Sequence, residues 1–464
     1  MLSAACAAAL TLAACGPAPE ETAPPDVPML SPEESRAALE IVRDHVAEIH
    51  LDTRTGLPPD FADAVEAASD ELSEPIASEQ LLFVLDEALV SLHDAHTFVD
   101  VRSDALASKD GVDLPFVWLE EGLVVTEDAG PLQRGDAIQS IGGLSPADLL
   151  AELRSVLPSE NDPFLRDRAP RVLPRGDFLR RLAVIQDDLV ALQVERGGAP
   201  VTVELPLGAL GAPAPSTTVA GEIDAANSLA VLRMDTCVYD GELEATLASF
   251  FGDVAGGGIQ RVAVDLRRNE GGNVLAAFAF LRYVEGAAGM KSFGVDLRIS
   301  DPLLDQFPVF GSPELVQALS AFGVDTTGDH YDIPGPVMGG LLASQLSPPA
   351  VDPALVFGGE LYVIVSPRTF SSANLFATLV KDNQLGQIIG EPTGNEVDFH
   401  GQNVRLDIPG TDLFLSVSSS RNRRPETTLP NEPSLTPDVV IPVTRESIAS
   451  GADLPIEWLR SLSP

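Results

Sequence analysis

Short apolar runs alternate with stretches of helical periodicity along most of this chain. Near the start, Ser31-Pro32-Glu33-Glu34 has the form of a capping box with proline at the first helical position. Apolar residues then recur at helical spacing from Ala38 to Val46. A second helix is predicted from about Ser78 to Leu92 and ends at His93-Asp94-Ala95-His96-Thr97. The pattern therefore predicts a helical segment over residues 31–106.

Residues 107–208 have the shorter runs and frequent turn signals of a β-rich domain. A turn, a strand, a Gly-Gly turn and a helix follow one another between Leu132 and Leu153. A long insertion, about 157–190, interrupts this domain. The other predicted strands are Phe116–Leu119, Leu123–Val125, Leu189–Val194 and Val201–Leu205. Residues 209–219, rich in Ala, Pro, Ser and Thr, are interpreted as a linker.

Buried strands alternate with helices over residues 220–445, which is typical of an α/β layer. Residues 290–355 have little periodicity and much proline and glycine, so we interpret them as a long surface excursion bordering a cleft. Residues 446–464 are interpreted as a C-terminal tail. The strands predicted for the α/β layer are Leu229–Met234, Val262–Arg267, Leu361–Val365 and Gln387–Gly390.

The N-terminus resembles a bacterial lipoprotein signal. Residues 1–15 form a short apolar segment that ends at Cys15, the residue such signals present for lipidation. A Pro/Glu-rich stretch, residues 16–30, follows as a tether. We therefore expect a protein of the bacterial cell envelope, anchored by a lipid and facing the periplasm or the exterior. The alternatives are a plain secretory signal and a chance Ala-rich terminus.

Composition limits the classes of function. The formal net charge is −40, with 69 acidic and 29 basic residues, which disfavours nucleic-acid binding. Beyond the first 15 residues no apolar run approaches the roughly 20 residues of a membrane span. Cys237 is interpreted as a small core residue, since the spacing of the cysteines indicates neither disulfides nor zinc. No metal or cofactor is expected, and the sequence does not indicate an oligomeric state.

The chemistry is concentrated where a predicted strand meets a helix at Ser371 and Ser372. A serine at such a corner is exposed, and the free N–H groups of the first helical turn can stabilise an oxyanion. Read alone, the stretch fits an ordinary serine N-cap. A second turn, Asn269-Glu270-Gly271-Gly272, leaves another buried strand, and its paired glycines allow close backbone approach to a ligand. A simple strand-to-helix turn would look the same.

A serine nucleophile needs a base, and the chain has six histidines. His45 and His50 lie in the first predicted helix, and His330 lies in the irregular excursion. His93, His96 and His400 remain as candidates. His93 and His96 are three residues apart, but no third ligand at useful spacing supports a metal site.

Five segments together resemble the C-terminal-processing (tail-specific) serine peptidase family, and they occur in the family's order. Asp265 to Gly272 is similar to its "DLR-x-N-x-GG" motif, and Thr369 to Ala377 with Ile389 to Gly394 is similar to its nucleophile helix and "G-E-x-T" strand. The other three are Leu132–Gly143, similar to its PDZ-like segment, Leu435–Val439, similar to its closing "PD" strand, and His93–Thr97, similar to the "D-G-H-T" motif of the tricorn-core-like branch.

The resemblance covers residues 31–445 and assigns roles to individual residues. It implies that Ser371 is the nucleophile and that Ser372, with Gly271 and Gly272, supplies the oxyanion hole. The serine–lysine dyad of the tail-specific branch is excluded, because residues 395–400 contain no lysine. His96 takes the position of the base in the tricorn-like branch, and His400 is the rival base.

Two departures from the family pattern leave open which group orients His96. Asn374 stands where the family has glutamate, and Ala95 stands where the tricorn-like branch has serine. The candidates for orienting His96 are Asp94, Glu432 (an approximate match to the family's glutamate) and a backbone carbonyl.

The predicted fold is mixed α/β of the α+β multidomain type. It consists of an N-terminal helical segment carrying His96, a PDZ-like β-rich domain and a ClpP/crotonase-like α/β protease core. The predicted function is a serine endopeptidase that cleaves peptides or protein tails outside the cytoplasm through an acyl-enzyme. The PDZ-like domain would hold a peptide as an added strand. The alternative is an inactive lipoprotein of the same fold that binds a peptide or small ligand.

Overall fold

The structure is a computed structural model, and it describes residues 29–102, 110–210, 218–346 and 350–462. The helices are α1 (Pro32–Ile49), α2 (Pro59–Glu71), α3 (Ser78–Val90), α4 (Pro146–Val156), α5 (Asp162–Val172), α6 (Gly176–Arg181), α7 (Gly241–Gly257), α8 (Leu275–Leu281), α9 (Asp301–Gln306), α10 (Pro313–Ala321), α11 (Gly335–Ala343), α12 (Ser372–Asp382), α13 (Arg445–Ser450) and α14 (Leu454–Ser461). Short 3-10 turns lie at Leu51–Thr53, Ala225–Asn227, Pro308–Gly311 and Pro353–Leu355.

The strands are β1 (Met29–Leu30), β2 (Ile76–Ala77), β3 (Phe98–Val101), β4 (Asp110–Gly111), β5 (Phe116–Leu119), β6 (Gly122–Val125), β7 (Ala137–Ile141), β8 (Ile185–Gln186), β9 (Leu189–Arg196), β10 (Ala199–Pro206), β11 (Gly208–Ala209), β12 (Val219–Asp224), β13 (Leu229–Met234), β14 (Arg261–Asp265), β15 (Gly294–Arg298), β16 (His330–Ile333), β17 (Glu360–Val365), β18 (Gln387–Gly390), β19 (His400–Asp407), β20 (Leu413–Arg423) and β21 (Val439–Val440).

A six-stranded sheet in the order β12-β13-β14-β17-β18-β21 forms the centre of the core. Every neighbouring pair from β13 to β21 is parallel, and only β12 runs antiparallel. All five residues of β14 are buried, as expected for a strand covered on both faces. The predicted α/β layer is confirmed, and β13 and β18 have the predicted bounds. The parallel arrangement brings the ends of β14 and β17, and the turns that follow them, to one edge.

A second sheet, in the order β16-β15-β20-β19 with β3 also paired to β20, lies beside the functional region. The capping box at Ser31 and the helix from Ser78 are confirmed. However, the prediction of a purely helical segment over 31–106 is wrong at its end, because β3 leaves the helices and joins this sheet. Its residues alternate between buried and half-buried, so one face packs on the core.

Residues 110–206 contain an antiparallel sheet in the order β10-β9-β7-β6-β5, with β8 paired to β9. Its strands occur where the sequence predicted a β-rich domain, and α4 follows the predicted Gly-Gly turn. The long insertion supplies α5 and α6. A two-residue pairing of β4 with β11 joins the segments that flank this sheet, and Ala209 of β11 lies in the segment predicted as a linker.

Two other sequence interpretations change. The surface excursion predicted for 290–355 is wrong, because β15 and β16 pair there and Phe293, Val295, Leu297 and Ile333 are buried. The predicted C-terminal tail, 446–464, contains α14 and most of α13. The apolar residues of this stretch show no clear periodicity in sequence, and only the tertiary structure shows that several of them are buried.

The predicted signal, including Cys15, and nearly all of the tether lie outside the described residues. Within the described residues, no helix has the length and apolar character needed to cross a membrane.

Candidate active site

Ser371 occupies a sharp corner between β17 and α12. Its backbone torsions, φ 54° and ψ −126°, lie in a region that residues with a side chain rarely adopt. It stands at the N-cap position of α12, yet its side chain makes no capping hydrogen bond. The ordinary N-cap interpretation is therefore wrong. The corner instead places Ser371 in the wall of a cavity.

The glycine turn after β14 packs directly against this corner. The Ser372 hydroxyl donates to the Gly272 carbonyl at 2.7 Å, and a Cβ built on Gly271 would lie 2.7 Å from the Ser371 Cβ. The Gly271 N–H donates to Asn269 Oδ1 at 2.8 Å, so it is not available as an oxyanion donor. Among the described residues, no acceptor is found for the N–H of Gly272 or of Ser372. Of the predicted donors, these two remain, and both residues line the cavity.

His96 reaches the same cavity from the N-terminal region, and it is 5% exposed. Its carbonyl accepts from Ser416 Oγ at 3.0 Å and Asn403 Nδ2 at 3.2 Å, which fixes its backbone to β19 and β20. The imidazole lies between two aromatic rings, with centroid distances of 4.4 Å to Phe370 and 5.7 Å to Phe399. Within the described part of the chain neither ring nitrogen has a hydrogen-bond partner, so His96 and Ser371 are not hydrogen-bonded here.

Two carboxyl groups lie behind His96. An oxygen of Asp94, an oxygen of Glu160 and a ring nitrogen of His96 lie within 4.8 Å of one another. Asp94 Oδ1 is 4.0 Å from His96 Nδ1 and accepts the His96 backbone N–H at 2.8 Å. Glu160 is half-buried as a residue, but its Oε1 is enclosed and finds no partner among the described residues.

The ionisation of this cluster follows from burial and charge. Burial lowers the pKa of His96 to about 4, and the Asp94 charge opposes that shift only partly. Burial and the Asp94 charge raise the pKa of Glu160 to about 8. Burial alone would raise the pKa of Asp94, but the hydrogen bond to His50 and the charges of His400, His50 and His96 lower it. At neutral pH, Asp94 is ionised, while His96 and Glu160 are uncharged.

The same three residues are the one His/Cys/Asp/Glu group, in the described ranges, whose atoms lie close enough for a metal ion. Both Asp94 oxygens are already occupied, Oδ1 by the His96 N–H and Oδ2 by Thr97 Oγ1 and His50 Nε2. Only His96 and Glu160 have free ligand atoms. The cluster is therefore better suited to hydrogen bonding than to holding a metal.

Asn395 connects the nucleophile corner to this cluster. Its Oδ1 accepts the Ser371 backbone N–H, and its Nδ2 donates to Glu160 Oε2 at 2.9 Å. Asn395 is fully buried. It follows the "G-E-x-T" segment directly in sequence, whereas Glu160 comes from the long insertion and carried no sequence signal. Sequence reasoning missed both residues.

The cavity has a volume of about 1030 Å³, and its wall contains both a charged and an apolar part. Arg168 and Arg171 both bind Glu270, which belongs to the glycine turn, and Arg368 lies 3.9 Å from the same carboxylate. Burial alone would raise the pKa of Glu270, but these three arginines lower it to about 2. The apolar part includes Phe293, Val295, Leu297, Ile333 and Met338.

The remaining sequence candidates lie elsewhere. Glu432 Oε1 accepts from Arg424 Nη1 at 3.0 Å, and Glu432 does not line the cavity. His400 Nε2 pairs with Asp52 Oδ2 at 3.0 Å, and His400 does not line the cavity either. Asn374, at the position of the family's glutamate, is buried and bonds Glu396 O and Thr393 Oγ1. The structure thus brings together Ser371, Ser372, Gly272 and His96, but not Glu432.

The parallel sheet, the serine corner and the glycine turn define a serine-type peptidase, a hydrolase acting on peptide bonds. Residues 228–441 match the model of peptidase family S41. Sequence comparison with curated proteins finds no match.

Two solved structures of CPAF share the fold, and a third solved structure is similar at a lower TM-score. Mature CPAF complexed with lactacystin is 16% identical, with 92% of this chain and 97% of that chain covered at a TM-score of 0.62. A serine-to-alanine mutant of CPAF is 14% identical, with coverage of 93% and 99% and a TM-score of 0.64. A putative S41 protease from Bacteroides fragilis is 13% identical, with coverage of 90% and 96% and a TM-score of 0.42. The two CPAF structures show that the fold extends over nearly the whole chain.

Proposed function

We propose that this protein is a serine endopeptidase whose base is His96. The observation that carries the proposal is that Ser371, in a strained corner, and His96, with two unpaired ring nitrogens, line one cavity. The lysines of the described residues are engaged elsewhere, Lys291 with Glu426 and Lys381 with Asp438. This supports histidine rather than lysine as the base.

The chemistry would follow the logic of serine acyl transfer. Ser371 Oγ bonds to the carbonyl carbon of the substrate while its proton passes to His96. The N–H groups of Gly272 and Ser372 stabilise the oxyanion. His96 then gives the proton to the leaving amine, and a water molecule hydrolyses the acyl-enzyme by the same steps. The missing Ser371–His96 hydrogen bond would form when substrate binds, as catalytic hydrogen bonds often tighten only in the complex.

A fluorophosphonate probe tests the proposal, because it labels serines activated in this way. The wild type should be labelled, and Ser371→Ala should lose all labelling while remaining folded by circular dichroism. Asn374 in place of the family's glutamate and the unformed Ser371–His96 hydrogen bond favour one rival, a non-catalytic lipoprotein that binds a peptide or small ligand. No labelling of folded wild type would decide for that rival.

We also propose a preference for large apolar side chains on one side of the scissile bond. The apolar part of the cavity wall, formed largely by β15, β16 and α11, could bury such a side chain, and each buried methylene contributes about 0.8 kcal/mol. Mass spectrometry of products from a mixed peptide library should show apolar residues enriched at one position beside the cut. An unbiased cleavage pattern would contradict this preference.

The location is proposed on the N-terminal sequence, which resembles a lipoprotein signal ending at Cys15. A lipid on Cys15 would place the peptidase at the cell envelope, facing the periplasm or exterior. Expression in a bacterial host with an alkyne fatty acid should label the wild type, and Cys15→Ala should remain unlabelled.

The antiparallel sheet is proposed to act as a PDZ-like module that holds peptide substrate along an edge strand, β5 or β10.

A further inference from the structure

The carboxyl of Glu160 contacts both halves of the catalytic machinery. Its Oε2 accepts from Asn395 Nδ2 at 2.9 Å and from the Glu396 N–H at 2.7 Å, while Asn395 holds the Ser371 N–H. Its other oxygen, Oε1, is enclosed and has no partner among the described residues, and one of the two Glu160 oxygens lies within 4.8 Å of a ring nitrogen of His96. One side chain thus lies between the base and the backbone of the nucleophile.

Among the described residues, neither the His96 ring nitrogens nor Glu160 Oε1 has a hydrogen-bond partner. Buried polar atoms without partners cost free energy, so one water that accepts both the His96 ring N–H and the proton on Glu160 Oε1 should join the two side chains. The other ring nitrogen of His96 then remains available to take the Ser371 proton. A separation of up to 4.8 Å between the His96 ring nitrogen and a Glu160 oxygen suits a single bridging water. Asp94 Oδ1, 4.0 Å from His96 Nδ1, already accepts the His96 backbone N–H, whereas Glu160 Oε1 has no partner among the described residues.

The position of Glu160 is fixed by its neighbour in sequence. Asn161 Nδ2 donates to Pro433 O at 2.6 Å and Ser434 Oγ at 3.1 Å, and Asn161 Oδ1 caps α5. These bonds attach the segment between α4 and α5 to the core beside Asn395. The insertion in the antiparallel region therefore delivers its carboxyl to a defined place in the core.

We infer that Glu160 is the positioning residue of this catalytic site. It orients His96 through its free oxygen and fixes the Ser371 corner through Asn395, the orienting role that the sequence offered to Asp94 or Glu432. The inference rests on the proposed peptidase function. It also means that the core site is complete only when the antiparallel region is docked.

The charges that face Glu160 favour a neutral hydrogen-bonding group. Asp94 and Glu396 are the acidic groups that act on it, and its hydrogen bonds from Asn395 and the Glu396 N–H offset only part of their effect. His96 is in turn affected by Asp94, His400 and Arg168. A glutamine has nearly the same shape and is neutral at every pH, so it should replace this carboxyl at neutral pH, whereas alanine cannot.

The first measurement is the second-order rate of fluorophosphonate labelling at pH 7. Glu160→Ala should slow labelling by about 10- to 100-fold, a range typical of lost support around a reacting group. Glu160→Gln should stay within about threefold of wild type. Glu152→Ala, on α4 and outside the cavity wall, is the matched control and should label normally. A wild-type rate in Glu160→Ala, or equal losses in the alanine and glutamine variants, would overturn the inference.

The second measurement does not depend on activity or on the folding of the alanine variant. The ring-nitrogen resonances of His96, identified by their loss in His96→Gln, are followed against pH in the wild type and in Glu160→Gln. The wild type should show a step near pH 8, where Glu160 loses its proton, and the glutamine variant should lack it. Identical His96 curves refute the inference even in an active enzyme. An unlabelled wild type that keeps the step refutes only the proposed function.

Discussion

At the scale of single residues, Ser371 shows why a sequence motif and a strained backbone occur together. Its left-handed φ costs an estimated 1–3 kcal/mol, and the surroundings maintain it through Asn395 and the packing of Gly271. In this strained conformation Ser371 lines the cavity beside Ser372, whose N–H has no acceptor among the described residues. Motif similarity found this serine, and only the structure showed that its side chain makes no capping hydrogen bond.

The strain at Ser371 predicts a difference between two inactive variants. The free energy of unfolding of Ser371→Gly should exceed that of Ser371→Ala by roughly 1–2 kcal/mol, because glycine adopts φ 54° without a Cβ penalty. Chemical denaturation of both variants measures the difference. Equal stabilities would mean that the corner relaxes in solution.

The buried Glu160 predicts how stability depends on pH. Its pKa is raised from 4.5 to about 8, so the folded protein favours the neutral form. That contribution is fully present below about pH 4.5 and is lost as the pH rises through 8. Between about pH 4.5 and pH 8 the wild type should therefore lose stability relative to Glu160→Gln. Above pH 8 the difference in stability between the two proteins should become constant. Melting curves at five pH values test this, and parallel wild-type and variant curves would contradict it.

At the scale of elements, the glycine turn after β14 and the corner before α12 work as one unit. Ser372 Oγ bonds Gly272 O, and the Phe370 N–H bonds Asn269 O at 3.1 Å. The "DLR-x-N-x-GG" and serine motifs are about 100 residues apart, and strand pairing of β14 with β17 brings them together. The sequence predicted each motif, and the parallel register explains why they occur as a pair.

Gly271→Ala should damage this unit, since its Cβ would meet Ser371 Cβ at 2.7 Å and Ser372 N at 2.9 Å with φ at +101°. We expect a loss of at least about 2 kcal/mol in stability and little labelling by the probe. Gly197→Ala is the matched control. Gly197 also has a positive φ, +57°, but none of the described atoms beyond its chain neighbours lies within 4 Å of the new Cβ. Normal labelling of Gly271→Ala would show that the turn is not part of the site.

Other elements could not be read from periodicity. β15 and β16 are missed, and their stretch is interpreted as a surface excursion. Each strand is too short to show a clear periodicity, and the residues that cover it are distant in the chain. β3 begins eight residues after the end of α3 and pairs with β20 more than 300 residues later. Capping chemistry, by contrast, is local, and the capping box at Ser31 formed as predicted.

At the scale of the whole molecule, the site is assembled from three parts of the chain. His96 comes from the N-terminal region, Glu160 from the insertion in the antiparallel region and Ser371 from the S41 core. Helix α5 and Glu270 join the last two through Arg168 and Arg171. Any movement between these regions would separate the proposed base, His96, from Glu160 and Ser371.

The net charge of −40 predicts a response to salt. Self-repulsion destabilises a compact chain of this charge, and salt screens it. Raising NaCl from 20 mM to 0.5 M should increase the melting temperature by at least about 2 °C, the shift that about 1 kcal/mol gives in a large domain. Sucrose at equal osmolality controls for solvent effects. A fall in melting temperature would mean that screened ion pairs outweigh the repulsion.

The sequence by itself predicted the α/β core, the serine corner, the glycine turn and the histidine beside them, because each depends on a local pattern or a short motif. The tertiary structure alone decided that the Gly271 N–H donates to Asn269 and that Glu432 pairs with Arg424. It also decided that Glu160 lies near His96 and accepts a hydrogen bond from Asn395. These are contacts between residues far apart in sequence, and no periodicity or spacing along the chain encodes which partners meet.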